Sequence, residues 1–219
     1  MIKAFIFDFD GLMVDTEIAC YQAWLDIYGQ FNADLPFLEY SKCIGTSELA
    51  FDPFNYLIDK TGKNLDRINT YQLHQRAYRA VTKKLPLMPG IQNYLDWAKS
   101  NQIKLAVASS SNRNWVLSHL SDLGVLPYFN AIMTSDDVHN VKPDPELFLK
   151  AAQAIGISSY EALIFEDSQN GIKAATLAHQ FAIAIPNQLT KQMDLSGADL
   201  ILTGLNNIQP EQLVKIFQS

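Results

Sequence analysis

The chain has 219 residues, a formal net charge of −6, and 18% charged against 48% hydrophobic residues, enough apolar side chain for a real core and too little charge for global disorder. A pI near 5.1 leaves no electrostatic footprint for nucleic acid or an anionic membrane surface. No apolar run reaches bilayer length, the N-terminus meets an aspartate too early for a signal peptide, and Cys20 and Cys43 have no metal-ligand spacing, so a cytoplasmic protein with free thiols and a small ligand is expected.

Residues 2–7 form an apolar run suited to a strand buried on both faces, broken by Asp8, Phe9, Asp10 and Gly11. Strand residues two apart point the same way, so Asp8 and Asp10 leave the sheet together. Ile18, Tyr21, Leu25 and Tyr28 then recur at helical spacing, with Asp15 or Thr16 placed to cap the helix and Gly29 to end it. Further helices are expected over residues 37–43, roughly 48–59, and after Asn64, the last carrying Ile68, Tyr71, Tyr78 and Val81. No strand interrupts this block. It reads as an inserted helical domain over residues 16–85, with 1–15 and 86–219 forming an α/β core and the LPLMPG stretch at 85–90 as the return linker.

From Gly90 helix and strand alternate strictly. Ile91, Tyr94, Leu95 and Ala98 make one helical stripe; residues 104–108 are a short strand running into Ser109, Ser110, Ser111 and Asn112; Val116, Leu120 and Leu123 face inward on the next helix, closed by Gly124. Residues 128–133 are the next strand candidate. In Lys142-Pro-Asp-Pro145, Asp144 is the expected N-cap and Pro145 the first helical residue. Residues 162–165 form another buried strand ending in Glu166-Asp167-Ser168, with a helix from about Gln169 to Ala178, strands over 181–185 and 199–202, and a last helix opened by Pro210. This order predicts a Rossmann-like parallel sheet with helices on both faces.

Several apolar strands thus end in polar groups: Asp8 and Asp10, Ser109, then Glu166 and Asp167, with Lys142 on a loop between. In a parallel sheet those ends share one edge, where ligands bind. Carboxylates gathered there repel one another unless a cation neutralises them, and an all-oxygen set without His or Cys suits Mg²⁺ better than Zn²⁺. Lys142 adds a compact positive charge, and the Ser109 hydroxyl adds a neutral donor to phosphate oxygens. Plainer readings exist for each. Asp and Gly form turns, Ser109 could start a helix with Ser110, Ser111 and Asn112 as alternative caps, Lys142 alone would be a solvated lysine, and Glu166 and Asp167 could serve a helix dipole. His74, His119, His139 and His179 have no carboxylate or cysteine partner in the pattern and read as structural or exposed. Arg76, Arg79, Lys83 and Lys84 read as a solvated face, and Tyr21, Trp24 and Tyr28 as core of the helical block.

FDFDGLMVDTE, VASSSN, the lysine of VKPDP and IFEDSQNG resemble, in order, the four motifs of the haloacid dehalogenase superfamily. The subgroup most similar holds β-phosphoglucomutase and small sugar-phosphate phosphatases, whose helical cap matches the block between the first two motifs. The resemblance implies that Asp8 attacks phosphorus to give an aspartyl-phosphate and that Asp10 acts as acid and then base. It implies that Ser109, Ser110 and Lys142 hold the phosphoryl group, and that Asp8, the Asp10 carbonyl, Glu166 and Asp167 hold Mg²⁺.

The chain departs from the mutase pattern, placing Cys20 where the resemblance expects a histidine and Ile44 and Glu48 where it expects Lys and Arg around Gly45. Glu48 would repel the second phosphate of a bisphosphate. Hydrolysis of a phosphomonoester is the resulting expectation, with a phosphosugar mutase and a non-catalytic phosphosugar-binding protein as alternatives. The expected partner is a small phosphorylated metabolite, with neither nucleic acid nor membrane, and the expected state is a monomer.

Overall fold

The structure, a computed structural model, describes residues 1–44 and 51–218. The sheet is built from β1 (Ala4–Phe7), β2 (Lys104–Ala108), β3 (Ala131–Met133), β4 (Ala162–Glu166), β5 (Phe181–Ala184) and β6 (Leu200–Ile201). All pairings are parallel, in the order β3-β2-β1-β4-β5-β6. The chain therefore starts at the centre and builds outward, first to one side and then to the other, which places a topological switch point between β1 and β4.

Alternation along the strands divides the core. Phe5, Phe7, Leu105, Val107, Leu163, Phe165 and Ile183 join one buried cluster. It is completed by α5 (Ile91–Ser100), α6 (Arg113–Asp122) and α9 (Pro210–Ile216). The opposite face is richer in small residues: Ala4, Ala106, Ala108, Ala162, Ala182 and Ala184, with Ile6 and Ile164 at its centre, meet α7 (Glu146–Ala154) and α8 (Gln169–Leu177), which bring Leu147, Phe148 and Ile172 as well as alanines. On the bulky face Phe7 stacks on Phe165 with ring centroids 4.6 Å apart. β1 and β4 are completely buried, so the strands that deliver Asp8 and Glu166 are rigidly held.

Among the described residues, four α-helices come between β1 and α5: α1 (Thr16–Gln30), α2 (Phe37–Tyr40), α3 (Pro53–Thr61) and α4 (Arg67–Thr82). Their own cluster contains Trp24, Ile27, Tyr28, Tyr40, Phe54 and Leu57. Exit and return are tied together where Met88 N–H donates to the Met13 carbonyl at 2.8 Å.

Several local expectations shift. The helix expected from about residue 48 begins at Pro53, where Asp52 caps it by accepting from Phe54 N–H at 2.9 Å; Gly45 and Glu48 lie outside the described residues. Ile68 and Val81 are 72% and 50% exposed. The buried positions of α4 are Thr70, His74 and Thr82; the two threonine hydroxyls donate to the Asp66 and Tyr78 carbonyls one turn back, and His74 packs on Trp24 of α1. Asp15 stands at the N-cap position of α1 without a side-chain capping bond, since the hydroxyl of Thr16 turns instead to Asp10. α7 starts one residue later than expected, at Glu146, whose N–H is accepted by Asp144 at 3.0 Å.

Candidate active site

β1 pairs with β4, and Asp8 continues that pairing by donating its N–H to the Phe165 carbonyl at 2.9 Å. Two parallel strands in register thus deliver Asp8 and Glu166 side by side, with Asp167 following. Oxygens of Asp8, Glu166 and Asp167 all lie within 4.8 Å of one another, and all three residues are buried. Lys142 reaches into the cluster and donates to Asp8 Oδ1 and, at 2.5 Å, to Glu166 Oε1. Its ammonium is 2% exposed, so the pair of carboxylates replaces its lost water.

Glu166 is saturated by the protein. Its second oxygen accepts from Asp167 N–H and Ser168 N–H, both at 3.1 Å, and from the Ser168 hydroxyl at 3.0 Å. Room for it comes from Gly171 on α8, where a Cβ would lie 1.8 Å from the Glu166 carboxyl carbon. Asp167 is braced by Asn187, which donates to its Oδ2 at 2.8 Å and to the Gly11 carbonyl at 3.2 Å. Gly11, at φ +86°, also leaves space, since a Cβ there would meet Asp167 Oδ2 at 2.5 Å.

Burial pushes the Asp8 carboxyl up to about 8, opposed by Lys142 and reinforced by Glu166 and Asp10. Burial likewise holds Asp167 well above the usual carboxylate range, with Glu166 and Asp8 adding to it. Burial works to lower the Lys142 ammonium, but Asp8 and Glu166 outweigh it and raise it. One lysine does not offset three buried carboxylates, and a divalent cation would supply the missing charge. The donor set of carboxylate oxygens suits a hard cation; Asp8 and Asp167 each accept one side-chain donor among the described residues and keep an oxygen for it.

Asp10 stands apart from the carboxylate cluster. Its Oδ1 accepts from the Thr16 hydroxyl at 2.8 Å and the Trp115 indole N–H at 2.9 Å. Its Oδ2 accepts from the Ser111 hydroxyl at 2.6 Å and the Ser109 hydroxyl at 3.4 Å. Ser109 also accepts from Ser111 N–H at 3.0 Å. The cap of α6 is Asn112, accepting from Trp115 N–H, so neither Ser110 nor Ser111 is a cap. The Ser110 hydroxyl is buried without a partner, an orphan donor on the cleft wall suited to an incoming oxygen anion.

Two cavities meet here. The smaller, about 80 Å³, is lined by Asp8, Asp10, Glu17, Ser109, Ser110, Lys142 and Asp167. The larger, about 480 Å³, shares Asp10, Glu17, Ser110 and Ser111 with it and extends along Trp24, His74, Tyr78, Arg79 and Trp115. The small one has the size of a phosphoryl group and the large one that of an organic remainder. Burial beside Asp10 and Asp8 pushes Glu17 up to about 8, so a residue read as part of the exit segment faces both cavities.

His74, expected to lack a cysteine partner, has one: its Nε2 lies 3.7 Å from Cys20 Sγ and 3.1 Å from the Cys20 carbonyl, because the polar inward face of α4 packs on α1. Arg76, Lys83 and Lys84 are exposed, whereas Arg79, also exposed, lines the larger cavity. Sequence reasoning missed Thr16, Ser111, Trp115 and Asn187. Asn187 carried the same signal as the others, a polar residue just beyond a buried strand; Trp115 carried none, since an aromatic on a helix reads as core.

The profile of haloacid dehalogenase-like hydrolases matches residues 5–185. A Bacillus subtilis protein, YhcW, named as a candidate phosphatase, is 42% identical over 190 residues, 87% of this chain and 86% of its own length. The phosphorylated carbohydrates phosphatase of Thermotoga maritima is 30% identical over 181 residues, 81% of this chain and 82% of its own. The crystal structure of β-phosphoglucomutase from Clostridium difficile superposes with a TM-score of 0.80 at 25% identity, covering 100% of this chain and 98% of that one. With this agreement of sequence and fold, the chain belongs to the haloacid dehalogenase-like hydrolases and stands among their phosphatase and phosphosugar-related members.

Proposed function

We propose that the protein is a Mg²⁺-dependent phosphatase that hydrolyses a small phosphomonoester, a sugar or polyol phosphate, through an aspartyl-phosphate on Asp8. The observation that carries this reading is the separation of two carboxyls two residues apart. Asp8 sits with Lys142, Glu166 and Asp167 in the small cavity, while Asp10 is turned by four donors to the junction with the large one. A nucleophile needs the cationic side of that divide, and an acid/base group needs the side where the leaving group sits.

Asp8 attacks phosphorus and the bond from phosphorus to the ester oxygen breaks, with Asp10 giving its proton to that oxygen. Asp10 then takes a proton from water as the water oxygen attacks the phosphorus on Asp8, releasing phosphate and restoring the Asp8 carboxylate. Lys142 and the Ser109 and Ser110 hydroxyls hold the transferring oxygens. Asp8 and Asp167 would hold the cation with the Asp10 carbonyl, and Glu166 would support it from behind by holding Lys142. When bound, the cation supplies charge neutralisation to nucleophile and phosphoryl group. Residues 16–85 serve as the cap that shapes the large cavity, and residues 1–15 and 86–219 as the catalytic core; the separate cluster around Trp24 and Leu57 supports this division.

A mutase must grip a second phosphate. Among the described residues lining the large cavity, Arg79 is the one lysine or arginine, faced by Asp10 and Glu17, which favours hydrolysis. The test is phosphate release from a panel of sugar and polyol phosphates, with and without Mg²⁺ and with and without a hexose bisphosphate primer. Metal-dependent release is expected; primer-dependent isomerisation without release would transfer the reading to the mutase, and binding without turnover to a phosphosugar-binding protein.

A further inference from the structure

The Asp10 carboxylate is held by groups from three separate parts of the chain: Thr16 at the start of α1, Ser109 and Ser111 after β2, and Trp115 on α6. Trp115 is the unexpected member. Its indole N–H is aimed at Oδ1, 2.9 Å away. Its ring stacks on Tyr78 of α4, with centroids 5.0 Å apart and planes within 19°, and meets His119 in a tilted contact at 4.0 Å and 50°. Behind Tyr78 the column continues into the helical segment, through His74 at 5.9 Å and Trp24, 4.5 Å from His74.

We propose that Trp115 and Tyr78 are positioning residues for the proposed reaction: the Trp115 N–H fixes the rotamer of the Asp10 carboxyl, and the Tyr78 ring carries the placement of α4 to Trp115 through their stack. The inference rests on the reading of Asp10 as the acid/base group. A carboxyl with several fixed donors is confined to one orientation, and a proton-transfer group displaced by about 1 Å loses rate by up to about 10²-fold. Packing alone would not require the nitrogen edge of the indole to face a carboxylate. The consequence is that the fit of the helical segment over the cleft is read out at the group that moves the proton.

The test combines kinetics with a signal that does not need turnover. Trp115→Phe keeps the ring and removes the donor, and is expected to lower kcat about tenfold or more with KM changed less than about twofold. Tyr78→Leu removes the stack and is expected to lower kcat similarly, while Tyr78→Phe, which keeps the ring, restores most of the loss. The chain has three tryptophans, so the indole region of a ¹H–¹⁵N spectrum holds three signals, and the one absent in Trp115→Phe belongs to Trp115. That signal should shift in Asp10→Asn and in Tyr78→Leu, while the Trp97 signal stays in place. A Trp115 signal indifferent to Asp10→Asn, an unchanged kcat in Trp115→Phe, or a loss confined to KM overturns the proposal. Should the wild type release no phosphate from any ester, the reading of the reaction fails, and the indole signal still decides whether Trp115 and Tyr78 fix Asp10.

Discussion

Asp8, Glu166 and Asp167 stand at the edge of a sheet whose central strands are completely buried, and Lys142 reaches them from a loop. Across the cleft, Trp24, His74, Tyr78 and Arg79 hang from helices with a smaller core of their own. The first wall is dense in charge, closed to water and held by backbone register. The second is largely aromatic, with Arg79 and Glu17 as its ionisable groups, and joins the first through stacking and hydroxyl contacts. A charged wall tolerates little displacement, because each buried carboxylate is balanced by neighbours at fixed distances. A wall of rings and hydroxyls can be altered without unbalancing charge, so substrate choice can vary on one side while the reaction stays constant on the other.

That contrast predicts a graded set of losses. Asp8→Asn, on the charged wall, is expected to remove turnover by about 10⁴-fold or more without changing side-chain volume; phosphate release by the purified variant measures it, and near-normal release would remove Asp8 as nucleophile. Asn187→Ala, which leaves Asp167 without its brace, is expected to weaken Mg²⁺ binding by about 10- to 100-fold, read by calorimetric titration with the metal alone. An unchanged affinity would show that Asp167 is held well enough by burial.

The third prediction concerns charge balance without the metal. Burial raises Asp8 from 3.8 to about 8 and Glu17 from 4.5 to about 8. In the chelated protein these groups keep their protons to higher pH when folded than when unfolded, so stability is greatest at low pH and is lost as pH rises through the window from about 4 to 8. Thermal melts of the chelated protein should therefore fall across that range, and added Mg²⁺ should flatten the slope; parallel curves would argue against a cation between these acids. The smallest effect belongs to the other wall. Arg79→Ala is expected to raise KM by about five- to tenfold with little change in kcat, if its guanidinium meets only the organic remainder of the substrate.

The strands' places along the chain and the polar residues at their ends were legible because both follow from local pattern: apolar runs set β1, β2 and β4, and Asp8, Ser109 and Glu166 stand where those runs stop. What the pattern could not carry was anything decided by how distant elements cross. Ser111 reads as a helix cap until Asn112 takes that part and Asp10 lies 2.6 Å from the serine hydroxyl. Thr16 reads the same way until its hydroxyl is found on Asp10. The inward face of α4 was obscured for a different reason: its buried positions, Thr70, His74 and Thr82, are polar, with the threonine hydroxyls satisfied one turn back and His74 on Cys20, while apolar Ile68 and Val81 face outward.

Gly171 contributes no atom to any step, yet a single added methyl there would fall on the carboxyl of Glu166. A saturation screen scored on activity would therefore register position 171 as sharply as the acids around it, including for alanine. A chemist inspecting the hits would find a position with no functional group to explain it. What is essential at such a position is an absence, a volume kept empty by one face of α8 so that a charged side chain can occupy it.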